Sequence, residues 1–126
     1  MSILLFAAAA SRTVWDGVYT KEQSTRGETT YLEECARCHG QNLLGGEAAP
    51  PVAGADFLKG WNGKTAGELF ERIRKTMPED NPGGLSARQS ADVLAYLFSA
   101  NRFPAGEKEL EREPEALKDI RIEPRR

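Results

Sequence analysis

The chain has 126 residues, the length of one ordinary domain, and a formal net charge of −2. Apolar residues make up 40% of it and charged residues 29%, with seven prolines and twelve glycines, so side chains alone give a thin core. No basic stripe interleaved with aromatics appears, which excludes nucleic acid as an expected partner; Arg125 and Arg126 read as a solvated end.

In chain order, Ile3 to Ala10 is a short apolar run ending in small residues, with Ala8 and Ala10 as an A-x-A-like pair. It resembles the h-region and cleavage zone of a secretory signal, although only Met1 and Ser2 stand where a basic n-region belongs. The reading taken is a signal-peptide remnant over residues 1–12, from a degenerate signal or an upstream start. The run is too short to span a bilayer, and no transmembrane anchor is expected.

Thr13 to Thr20 reads as an extended arm anchored by Trp15 and Tyr19. Thr20 with Gln23 forms a capping-box pattern opening a helix from about Lys21 to Cys35, with Gly27, Tyr31 and Cys35 on one face. Gln41 to Gly60 is rich in Gly, Pro and Ala and is expected to be loop. Thr65 with Glu68 caps a second helix carrying Leu69, Phe70 and Ile73 as its apolar stripe; Pro78 stops it at Met77. After the turn-rich EDNPGG segment, Ser86 with Gln89 caps a third helix over about Ala87 to Ala100. Its face of Ala91, Leu94, Ala95 and Phe98 is widened by Val93 and Leu97 enough for burial on two sides.

The charged tail from Phe103 spaces Leu110, Leu117, Ile120 and Ile122 along its length. That pattern suits an arm laid on the domain with one helical turn near Pro114 to Lys118; its charge suits a disordered tail equally. No strand alternation or repeat stands out, so the fold class is all-α. The organisation expected is a domain over 13–103, with its arm at 13–20, and a C-terminal extension over 104–126.

The two cysteines and the single histidine fall together in Cys35-Ala36-Arg37-Cys38-His39. This is the C-x-x-C-H haem-attachment pattern. One helical turn lets two thiols reach two vinyl groups, and the next residue aims its imidazole at the iron. A thioredoxin-like redox pair would follow a strand in an α/β fold, and no such strand is predicted. A zinc site needs a fourth ligand, and no further Cys or His exists. A disulfide between Cys35 and Cys38 would close a very small loop and stabilise little.

Met77, followed by Pro78, is the only methionine besides Met1 and lies 38 residues after His39. A lone Met after a helix is ordinarily core filler. Its uniqueness and the upstream motif make it the expected second axial ligand, and His/Met ligation raises a haem's reduction potential.

Together these residues resemble the class I cytochromes c, particularly compact bacterial members with one haem. The likeness covers about Gly27 to Ala100, with CARCH as its most specific motif. Gly27 and Tyr31 stand eight and four residues before Cys35, where the family's first helix carries a Gly and an aromatic. Leu94, Tyr96 and Leu97 resemble its C-terminal helix, which crosses the first one at the glycine. Pro50-Pro51-Val52-Ala53-Gly54 resembles its Pro-x-Leu-x-Gly loop, with a doubled proline and a Val. The resemblance implies a carbonyl from Pro50 or Pro51 on His39 Nδ1. For Trp61, with Asn62, it implies a donor to a haem propionate, against plain core packing. Tyr31, Phe70, Ile73 and Leu94 complete the implied haem pocket.

The resemblance therefore implies three main helices around one covalent haem c, ligated by His39 and Met77. With both axial positions filled, the expected function is single-electron transfer between redox partners, without enzymatic activity of its own. The implied partners are transient ones, such as a periplasmic dehydrogenase (a quinoprotein among them) or a terminal oxidase. Export to the periplasm follows, because haem attachment to this motif occurs outside the bacterial cytoplasm. The competing reading is a haem-based ligand binder or peroxidase-like enzyme with a displaceable Met77, for which Arg72 and Arg74 are the nearby cations. Glu79, Asp80 and Arg37 predict a docking face of mixed charge.

Overall fold

The computed structural model describes residues 12–125. The signal-peptide reading falls almost wholly on residues outside them. Among the described residues six helices form: α1 Lys21–Glu34, α2 Ala36–His39, α3 Ala55–Trp61, α4 Ala66–Thr76, α5 Ala87–Ala100 and α6 Pro114–Leu117. Among the described residues there is no strand, only isolated bridges from Arg121 to Thr13 and to Thr65. The all-α class holds.

Helix starts follow the capping chemistry. Thr65 with Glu68 and Ser86 with Gln89 close reciprocal boxes at α4 and α5. At α1 only half of the expected box forms: the Thr20 hydroxyl accepts from the Gln23 amide N–H at 3.1 Å. The Gln23 side chain turns instead to the tail, accepting from Leu110 N–H at 2.8 Å and donating to Leu110 C=O at 3.3 Å. A buried side-chain amide here does the work of a neighbouring backbone strand.

The expectation of loop throughout 41–60 is corrected by α3. Gly54, at φ +94°, turns the chain into a helix of seven residues. Phe57 is buried in the core, with Leu58 and Trp61 packed against it. So short a helix shows little periodicity and draws its stability from that burial. The first helix also ends one residue early, because Cys35 serves as both the C-cap of α1 and the N-cap of α2.

The core is organised by the crossing of α1 and α5. A Cβ on Gly27 would lie 1.8 Å from the Asp92 carbonyl oxygen and 3.0 Å from Tyr96 Cβ, so glycine alone allows this approach. Beside it the rings of Tyr31 and Tyr96 pack at 5.3 Å. Ser90 to Ala95, Leu97 and Phe98 are all buried, as the widened face of α5 requires. Leu69, Phe70 and Ile73 of α4 complete the interior.

The tail is packed, with Leu110, Leu117, Ile120 and Ile122 all buried and α6 at the expected turn. It joins the N-terminal arm in a belt. Val14 N–H donates to Arg121 C=O at 3.0 Å, and Arg121 N–H donates to Arg12 C=O at 2.9 Å. The Arg12 guanidinium grips both oxygens of Asp119 at 3.0 Å. The Trp15 indole donates to Glu123 C=O at 2.9 Å. Farther along, Ile120 and Ile122 carbonyls accept from Ala66 and Gly63, fastening the tail to the start of α4.

Candidate functional site

Cys35, Cys38 and His39 occupy the one-turn helix α2, set at the end of α1 and locked there by Tyr31. The Tyr31 hydroxyl donates to Gly40 C=O at 2.7 Å. Cys35 and Cys38 are both half-buried and are not bridged to each other. Burial pushes the Cys35 thiol up to about 11, the reverse of the depressed thiol in a thioredoxin-like pair. Among the described residues no three His, Cys, Asp or Glu side chains converge on a common point for a metal ion. The two thiols and the imidazole therefore do not form a thiolate–imidazole cage.

The imidazole is fixed by the loop that follows. Pro50 C=O lies 2.8 Å from His39 Nδ1, so of the two candidate prolines it is Pro50 that faces the ring. A carbonyl can only accept, which puts the proton on Nδ1 and leaves the Nε2 lone pair free to bind a metal. The loop returns to His39 through Gly45, whose N–H donates to His39 C=O at 2.8 Å. Gly45 has φ +79°, and a Cβ there would lie 2.7 Å from Pro51 N and 2.8 Å from the Pro50 carbonyl carbon. Downstream, buried Asn101 accepts from Gly54 N–H at 3.0 Å and donates to Val52 C=O at 3.2 Å.

Gly45 and Asn101 position the site, and the sequence reading missed both. The glycine was one of several in a Gly-rich stretch. Asn101, just past the end of α5, carried only the weak signal of a polar residue beside a strongly apolar helix.

Met77 stands at the C-cap of α4, half-buried, its N–H still donating to Ile73 C=O at 3.2 Å. Beyond it two turns wind the loop, through Asn81 N–H to Pro78 C=O and Gly84 N–H to Asn81 C=O, both at 2.9 Å. Arg74 donates to Gly83 C=O at 3.3 Å, and Arg72 lies over the Trp61 ring at 5.7 Å. Both arginines offered for peroxide chemistry are thus engaged elsewhere. Arg37 and Asp80 do not stand as separate rim charges but pair at 2.7 Å.

Tyr31, Phe70, Ile73 and Leu94 are all buried side chains of the helical core. Trp61 is placed by α3 rather than by a loop. It packs against Phe57 at 6.3 Å between ring centres, and Lys64 also approaches its ring at 5.9 Å. Its indole N–H makes no hydrogen bond among the described residues, and Asn62 beside it is exposed. A groove of about 500 Å³ between α4 and α6 includes Trp61, Lys64 and Arg72 in its lining but none of Cys35, Cys38, His39 or Met77.

These features fit a covalently held haem. Two unbridged thiols sit one turn apart, and the adjacent imidazole has its Nε2 free and its other nitrogen anchored. The chemistry of the donor set matches that group.

Comparison with known proteins agrees. Residues 22–97, more than half of the chain, match the family described as Cytochrome C oxidase, cbb3-type, subunit III. A curated relative, the thiosulfate dehydrogenase of Stutzerimonas stutzeri (strain A1501), is 34% identical over 83 residues, which is 61% of this chain and 27% of that protein. The chain therefore spans only about a quarter of that relative's length. Among solved structures, the sulfane dehydrogenase SoxCD from Paracoccus pantotrophus aligns with a TM-score of 0.55 at 17% identity. That alignment covers 86% of this chain and 61% of the other, a likeness of fold alone. No helix among the described residues is long and apolar enough to cross a membrane. By its matched residues and its attachment motif, the chain belongs to this cbb3-type subunit III family and is a small c-type cytochrome domain carrying covalently bound haem c.

Proposed function

We propose that the chain is a single-electron carrier whose haem iron is ligated by His39 and Met77. The observation that carries this reading is the His39 imidazole, held through Nδ1 by Pro50 at 2.8 Å and so presenting Nε2. Haem c supplies a one-electron ferric/ferrous couple. The chain's own residues do the rest. Cys35 and Cys38 tether the macrocycle, and Pro50 orients the proximal imidazole. Met77, the only methionine of the sequence besides Met1, would close the other side from the end of α4. The apolar surfaces of Phe70, Ile73 and Leu94, with Tyr31, supply a low-dielectric wall. The indole N–H of Trp61, without a hydrogen bond among the described residues, and the amide of Asn62 are donors suited to a propionate.

If His39 and Met77 both hold the iron, no position would be left open for a substrate, which favours electron carriage over ligand binding or peroxide chemistry. The proposed partners are exported redox proteins, a dehydrogenase on the donor side or a terminal oxidase on the acceptor side. The name of the curated relative adds dehydrogenases of reduced sulfur compounds to the donor class. Export to the periplasm follows from the attachment chemistry.

The test is spectroscopic. The oxidised holoprotein should show the far-red sulfur-to-iron band, and the reduced form a c-type α-band. Met77→Ala should keep the α-band, lose the far-red band, lower the potential and let the ferrous form bind carbon monoxide. A variant with the parent's potential and no carbon monoxide binding would remove Met77 from the iron.

A further inference from the structure

We infer that Arg37 and Asp80 form an electrostatic strap holding the Met77 loop against the Cys35–His39 turn, so that this pair controls how readily the loop opens and releases Met77. The inference rests on the Met77 ligation proposed above.

The two ligand-bearing segments are far apart in sequence and meet through few polar ties. Arg37 stands between the two cysteines on α2, and Asp80 lies three residues beyond Met77. Their Nη2 and Oδ2 atoms are 2.7 Å apart, a charge-assisted contact across 43 residues of chain. Among the described residues it is the only hydrogen bond or ion pair joining residues 78–85 to residues 35–52.

The other ties of the loop run inward. Its two turns close upon Pro78 and Asn81, and Arg74 returns Gly83 to the loop's own helix, α4. Pro78 and Leu85 are buried at the two ends, whereas everything from Glu79 to Gly84 between them is exposed. The loop is thus anchored at its feet, and among the described residues only Arg37 restrains its crest from across the gap.

Magnitude decides what such a strap can do. The Arg37 and Asp80 side chains are 58% and 62% exposed, so the pair is screened by water and salt and adds little to global stability. Local opening of a six-residue exposed crest is far cheaper than unfolding, and a small bias there is felt directly by a ligand three residues away. The two residues are positioning residues, acting on Met77 through the loop.

The experiment uses the ferric holoprotein and imidazole as the displacing ligand, followed by loss of the far-red sulfur band. At low ionic strength Asp80→Asn and Arg37→Gln should each raise apparent imidazole affinity by about two- to five-fold, the range an exposed pair can supply. About 1 M salt should raise the parent's affinity similarly and erase the difference from the variants. The charge-reversed double variant, Arg37→Asp with Asp80→Arg, should return to the parent's value, a rescue that loss of packing would not produce. Denaturant midpoints should stay with the parent throughout. Single variants with the parent's affinity, or a reversed pair that binds imidazole as tightly as the singles, overturn the strap while a parent sulfur band leaves Met77 ligation standing. A parent that lacks the band removes Met77 ligation and the strap with it.

Discussion

The half of the molecule built from α1, α5 and the belt is held very differently from the rim that carries Cys35 to Pro51 and the Met77 loop. In the first half, backbones touch at Gly27, a buried glutamine clamps the tail, and Leu117, Ile120 and Ile122 are out of water. In the second, the connections among the described residues are loop hydrogen bonds and one exposed ion pair, and Leu44 stands 58% exposed beside them. The chemistry thus sits on the lightly tied side of a tightly tied scaffold. That division suits a redox domain. The scaffold supports the turn that carries the attachment motif, and the rim can meet another molecule without core structure being displaced.

The sharpest way to break this comparison is Gly27→Ala. A methyl 1.8 Å from the Asp92 carbonyl must push α1 and α5 apart, because the obstacle is backbone. Denaturant unfolding of the holoprotein should show a loss of about 3 kcal/mol or more. A loss below about 0.5 kcal/mol would mean that the crossing is not the organising contact of the core.

Gln23→Ala comes next. It leaves Leu110 N–H and C=O without partners in a buried place, which should cost about 1–3 kcal/mol. Amide exchange in the tail should quicken while the far-red band at neutral pH stays put. If the band faded with the clamp, scaffold and rim would be a single cooperative unit, and the division drawn above would fail.

The smallest effect is the acid limb of the belt. The Arg12 guanidinium beside Asp119 holds that carboxyl below its ordinary value of 3.8. A depressed folded-state value means that the pair stabilises fully above the ordinary value and loses its contribution as pH falls through the folded one. Arg26 acts on Glu109 in the same direction, from a more exposed position. Asp119→Asn should therefore lower stability at neutral pH by under about 1 kcal/mol, and the gap to the parent should close below about pH 4. A gap that stayed constant down to pH 2 would assign the effect of Asp119 to packing instead.

Much of the helical frame was legible in the sequence because it is local. The Thr65–Glu68 and Ser86–Gln89 boxes each need only four consecutive residues, and the stripes on α4 and α5 need only a regular period. The C-x-x-C-H motif is legible for the same reason, since two thiols and an imidazole within one turn carry their chemistry in their spacing. Helix α3 was hidden because seven residues hold barely two turns of pattern, and Phe57 supplies the stabilisation from outside the segment. The Thr20–Gln23 pattern misled in part, because Leu110 competes for the same side chain from 87 residues away.

By itself, then, the sequence determined an all-α chain with a covalent haem attachment site, through short-range spacing and the chemistry of Cys and His. Only the tertiary structure decided that Pro50 rather than Pro51 faces His39, through the close approach that Gly45 permits. It alone decided that the charged tail is packed rather than free, and that Arg37 meets Asp80. Each of these depends on two segments distant in the chain arriving together, and the energy of such a meeting is written in neither segment alone.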